Sequence, residues 1–187
     1  MNLLRAKNLD VVARLSSYRL RQFSKMWEQP ELGDDGFETF HLKRGDKTKS
    51  KKFGVDLSTY LAREIKDWAN FSSYMNPTEQ NIIDIFWRIF GENDDIQAKE
   101  AFSFSGYWAM EHNDGNGLAG SQVMFIVDNP LGHRLWAEGG KLRTPKKGEA
   151  ILLHTNKYHA LYPAKGLTAD QAATRPLKFV SVAFYGP

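Results

Sequence analysis

Apolar positions follow two different patterns on either side of residue 95. Up to that point they return at three- and four-residue steps, and beyond it short apolar runs alternate with glycine, asparagine and proline. Helices are therefore expected first, then strands. Val12, Leu15, Phe23, Met26 and Trp27 fit one face of a helix over roughly 9–28, closed by Pro30. Asp56 can cap a second helix carrying Leu57, Leu61, Ile65 and Trp68. A third has the clearest boundaries, with Asn76 as N-cap, Pro77 in the first turn, Glu79 in capping-box position and Gly91 at the end. Its stripe of Ile82, Ile83, Phe86, Ile89 and Phe90 needs a surface to cover, and a sheet would supply it.

Strands are expected at 101–111, with Phe102, Phe104, Trp108 and Met110 on one side, and at 122–128, which is apolar on both faces and so belongs in the middle of a sheet. Further strands fall at 133–138, 149–155, 159–163 and 177–186, with turns at 114–117, 129–132, 139–140 and 146–148. No helical pattern separates the strands from 101 to 163, and only the short stretch AKGLTADQAAT, a loop or a short helix, precedes the last one. The spacing is that of an all-β sandwich or barrel rather than of βαβ units, and the fold class is α+β.

Composition narrows the function classes. The 187 residues suit one domain with a sizeable core, and 42% are hydrophobic. The absence of cysteine excludes disulfides, thiolate zinc sites and iron–sulfur clusters, and it fits a reducing, cytoplasmic setting. No apolar run reaches the length of a membrane span, and the first residues lack a signal core. The net charge is +3 and the pI near 9.0. Much of that excess sits at 41–52, where Lys43, Arg44, Lys47, Lys49, Lys51 and Lys52 surround Asp46. That stretch reads either as a solvated loop or as a contact to nucleic acid or another polyanion.

Five histidines are present, His41, His112, His133, His154 and His159. His112 and Asp114 stand two apart at the end of an expected strand, where alternation lets both face one cation. A second histidine from a neighbouring strand would complete a two-His, one-carboxylate facial triad. Read alone, His112 is better taken as a surface turn histidine, with Asp114 opening an Asx-turn before Gly115. There is no HxH pair of the kind a cupin metal site needs, and no GxSxG, GxGxxG or P-loop pattern.

In its order of motifs the stretch 100–186 resembles the Fe(II)- and 2-oxoglutarate-dependent dioxygenase superfamily. YWAMEHNDG carries the HxD, SQVMFIVDNP follows as an apolar strand, PKKGEAILLHTNKYHALYPAKG supplies the distal histidine, and RPLKFVSVAFYG the closing strand headed by a basic residue. The resemblance implies a single domain over 1–187. Within it, 1–95 would be a helical support and 96–187 a double-stranded β-helix (jelly-roll) catalytic core, with the helices on one sheet. It implies Fe(II) held by His112, Asp114 and His159, with His154 the rival for the distal place. Arg175, supported by Ser181, would bind the far carboxylate of 2-oxoglutarate, with Lys178 as rival anchor, and Tyr107 or Asn156 would meet its other end. The implied reaction consumes O2 and 2-oxoglutarate, releases succinate and CO2, and hydroxylates a nucleic-acid base, a protein side chain or a small metabolite. The alternatives are a non-catalytic jelly-roll module and a metal-binding β-barrel enzyme of other chemistry.

Overall fold

A computed structural model describes residues 2–26, 37–40, 62–66, 77–113 and 120–186. The strands form two antiparallel sheets. The larger has the order β1 (Val11–Arg14), β8 (Glu149–Leu153), β6 (Ser121–Asp128), β10 (Leu177–Tyr185), β4 (Gln97–Gly106), β3 (Ala62–Lys66), β2 (Phe37–Phe40). The smaller has the order β5 (Ala109–His112), β9 (His159–Tyr162), β7 (Arg134–Ala137). From β4 to β10 each successive strand changes sheet. The chain thus winds back and forth between two layers, and the ends of the strands meet at two opposite ends of the sandwich.

Two apolar layers follow from strand alternation. Val123, Phe125, Ala150, Leu152, Val180, Val182 and Phe184 face the helices α1 (Ser17–Met26) and α2 (Pro77–Phe90). Phe23 of α1 stacks on Phe125 with centroids 4.5 Å apart, and Ile82, Ile83, Ile85 and Phe86 of α2 complete this layer. Met124, Ile126, Ile151, Leu153, Leu177 and Phe179 face the other way, towards Ala109, Leu135, Ala137 and Leu161 of the small sheet. β6 is buried on both faces, as its unbroken apolar run predicts. Gly91, at φ +79°, closes α2 in the left-handed conformation that glycine adopts without strain. Asn76 and the expected turn at 114–117 lie outside the described residues, as does the basic stretch 41–52. Among the described residues no helix is long and apolar enough to cross a membrane.

Three expectations are corrected. The helix expected over 9–28 is a strand, Val11–Arg14, followed by a helix that begins only at Ser17. Adjacent β-branched Val11 and Val12 favour the strand, the edge of β8 gives it a partner, and the Ser16 hydroxyl caps α1 by accepting from the Arg19 amide at 3.2 Å. Ile65, expected in a second helix, lies in β3, which pairs with both β2 and β4, so ladder formation overrides its helical spacing. The single strand expected at 101–111 is two strands, β4 and β5, broken at Tyr107 and Trp108 where the chain crosses between sheets. Both residues are buried at that crossing, so their apolar character marks a corner rather than one continuous face.

Candidate metal centre

His112 and His159 stand directly opposite each other in the β5–β9 ladder. Residues facing each other in this way have Cα atoms about 4.5–5.5 Å apart and share a face of the sheet. The register slips by one residue between Ala109 and His112, while Ala109 remains opposite Leu161. That bulge on β5 matters. Without it, the three-residue step from Ala109 would put position 112 on the opposite face; with it, positions 109 and 112 fall on the same face. On β9, His159 alternates with Leu161, which packs between the sheets, and across the ladder His159 meets Ala137 of β7, also packed between the sheets. The His159 position therefore belongs to the interior side of the small sheet, at one end of the sandwich.

The hydrogen bonding of His159 suits a metal ligand. Its Nδ1 lies 2.8 Å from the Lys157 carbonyl. A carbonyl can only accept, so Nδ1 carries a proton and any lone pair the ring offers a metal is on Nε2. Metal-bound histidines are commonly held in this way, with the second nitrogen donating to a backbone oxygen. His154 is arranged differently. Its Nδ1 lies 2.9 Å from the Ser121 hydroxyl and its Nε2 3.3 Å from the Ala6 carbonyl, so both ring nitrogens serve protein contacts. Of the two rivals for the distal place, His159 is the one paired across the ladder with His112.

Asp114, the His112 side chain and His41 lie outside what is described, and among the described residues no group of three or more metal-binding side chains gathers. Arg175 ends α3 (Ala169–Thr174) as its C-cap, and its side chain is exposed. Its carbonyl meets His133, next to Arg134, which pairs with Tyr162 at the end of β9 opposite His159. Ser181 is fully buried in β10 and donates to the Val123 carbonyl at 3.2 Å. Lys178 alternates with Phe179 and so falls on the helix-side face with Val180 and Val182, away from the space between the sheets. Tyr107 is buried and Asn156 exposed.

His133 had no role assigned from the sequence. It is wholly buried at the Arg175 end. Its Nε2 donates to the Arg175 carbonyl at 3.1 Å and its Nδ1 accepts from the Ala164 amide at 3.1 Å. Asn129 accepts from the His133 amide and donates to the His133 and Pro145 carbonyls. Burial holds the His133 pKa below its usual 6.5, with the neighbouring Arg134 charge pushing the same way, against the hydrogen bonds to Arg175 and Ala172. The sequence signal for this latch was weak: an Asn-x-x-x-His step across a turn.

No family model matches the chain, and no curated protein matches it. Among solved structures the fold is similar to that of an oxidoreductase of the 2OG-Fe(II) oxygenase family from Burkholderia pseudomallei. The TM-score is 0.51 at 11% identity, covering 91% of this chain and 80% of that one. EctD from S. alaskensis, solved with bound Fe, matches at TM-score 0.39 and 12% identity over 96% and 82% of the two chains. Fe(II)-HppE with an alternative substrate matches at 0.30 and 11% over 98% and 65%. The first of these likenesses is one of fold, and the other two are too distant to add to it. The protein with this similar fold carries the name of the family that the motif order at 100–186 resembles.

Proposed function

We propose that this protein is an Fe(II)- and 2-oxoglutarate-dependent dioxygenase, a hydroxylase built as a single domain over 1–187 on a double-stranded β-helix. The strict alternation of β4 to β10 between two sheets supports the jelly-roll assignment. The observation that carries the reading is the facing pair His112 and His159, with His159 Nδ1 held by the Lys157 carbonyl. Two neutral imidazoles and a carboxylate suit ferrous iron, and Asp114, two residues past His112, would be the carboxylate. The bound iron would supply redox chemistry, coupling O2 and 2-oxoglutarate to oxidation of a substrate C–H bond with release of succinate and CO2.

The chain's own tasks are positional. The Lys157 carbonyl holds the His159 ring in one tautomer, and the β5 bulge puts position 112 on the same face. Leu135, Ala137 and Leu161 line the interior side with apolar groups that exclude water. Arg175 would bind the far carboxylate of 2-oxoglutarate, its support being its place just before the last strand, while Ser181, about 13 Å along that strand from Leu177, would act only if the cosubstrate reaches between the sheets. The basic stretch 41–52 would meet a polyanionic substrate, and neutralising Lys49, Lys51 and Lys52 should then flatten the salt dependence of polyanion binding.

The test is anaerobic addition of Fe(II) and 2-oxoglutarate. Wild type should develop the weak visible charge-transfer band of the chelate, and Asp114→Ala and His159→Ala should not. Iron binding that depends on His159 but gives no band on adding 2-oxoglutarate would favour a metal protein of other chemistry. No iron binding at all would favour the non-catalytic module.

A further inference from the structure

The N-terminal segment reaches the histidine end of the sandwich and is tied there by one side chain. Asn8 is buried, and both ends of its carboxamide are used. Nδ2 donates to the Glu138 carbonyl at 2.8 Å, just beyond β7, and Oδ1 accepts from the His154 amide at 2.6 Å, just beyond β8. The His154 carbonyl in turn accepts from the Lys157 amide at 3.1 Å, closing a turn, and the Lys157 carbonyl accepts from His159 Nδ1. The Glu138 amide donates to the Tyr158 carbonyl at 2.8 Å. Asn8 therefore holds the start of the loop 154–158 directly, and its end through Glu138.

The backbone around Asn8 is arranged at some cost. Leu9 has φ +63°, a conformation that side-chain-bearing residues rarely adopt, and its side chain is buried in the layer between the sheets. The Leu9 amide donates to Leu152 and the Leu152 amide to Asp10, so this kinked segment is locked to β8. Gly140 packs so closely that a Cβ there would lie 2.8 Å from the Asn8 carbonyl oxygen. Strain, burial and close packing converge on this residue.

We propose that Asn8 is a positioning residue for His159, its carboxamide fixing the turn whose Lys157 carbonyl sets the imidazole tautomer and direction. The proposal rests on the reading of His159 as a metal ligand. Removing such supporting hydrogen bonds from a metal site weakens affinity about 10- to 100-fold.

The test uses the full chain and two readouts. In the metal-free protein, imidazole nitrogen-15 shifts report the His159 tautomer; Co(II) titration reports affinity. Wild type should show a single tautomer with the proton on Nδ1. Asn8→Ala should mix the tautomers and weaken Co(II) binding about 10-fold. Asn8→Asp keeps the oxygen that accepts from His154 and should show a smaller change of the same kind; it carries the test if the alanine variant does not fold. Ile83→Ala, which destabilises the chain beneath α2, should leave the His159 shifts unchanged. Unchanged shifts and affinity in both Asn8 variants would overturn the proposal, and so would an equal change in Ile83→Ala. Failure of wild type to bind Co(II) would instead remove the metal reading, while the tautomer comparison would still decide the role of Asn8.

Discussion

The two ends of the sandwich use histidine in opposite ways. At one end His133 is sealed from solvent, and the main chain takes both ring nitrogens, one at Arg175 and one at Ala164. At the other end His159 is half-buried, and the Lys157 carbonyl accepts from its Nδ1. The first ring functions as a cross-brace between the β7, β9 and β10 connections. The second is tied through Nδ1 to the loop that precedes its own strand. His154, only five positions from His159, is held by a side chain and the main chain together, the Ser121 hydroxyl at Nδ1 and the Ala6 carbonyl at Nε2.

Exchanging the losses should separate the two ends. The largest effect is expected from His159→Ala, which should weaken Co(II) binding by more than about 100-fold with little change in thermal midpoint. A large drop in midpoint instead would make His159 a brace like His133. Next comes His133→Ala, expected to cost about 2–4 kcal/mol in denaturant unfolding through a cavity and two orphaned main-chain groups, with Co(II) affinity unchanged. The same ring should give the far end a pH dependence. Protonation would turn Nδ1 into a second donor against the Ala164 amide, and burial already holds the pKa below 6.5. As pH falls, the unfolded chain takes the proton first. The His133 contribution is therefore complete above about pH 6.5 and is lost as pH drops below that towards the folded value. Unfolding midpoints between pH 7 and 5 should fall in wild type and less in His133→Gln. The smallest effect is expected from Arg14→Ala, also at the far end. The Arg14 side chain is 73% exposed and its ion pair with Glu149 measures 3.4 Å, so the loss should stay below about 0.5 kcal/mol.

What the sequence made legible was the part governed by local pattern. β6, β8, β9 and β10 are strands because uninterrupted or alternating apolar runs between turn residues have few other outcomes, and α2 is bounded by proline and glycine. What it hid depended on distant partners. Val11 and Val12 form a strand because β8 offers an edge more than a hundred residues away, and the Ser16 cap beneath it went unread among apolar spacings that also fit a helix. The break at Tyr107 and Trp108 is a crossing between sheets, and no turn residue marks it apart from Gly106. For the site, His112 and His159 could be singled out by order and spacing, whereas the bulge that aligns them and the Asn8 clamp behind them arise only when three strand ends and the N-terminal segment meet.

The central claim is that positions 112 and 159 serve one metal ion. Imidazole signals of the nitrogen-15-labelled protein during titration with Co(II) test it most directly. If one ion binds both, His112 and His159 shift and broaden together and saturate at one equivalent, while His133, at the far end, keeps its resonances. Perturbation of only one of the pair, or of both with separate saturation points, would contradict it.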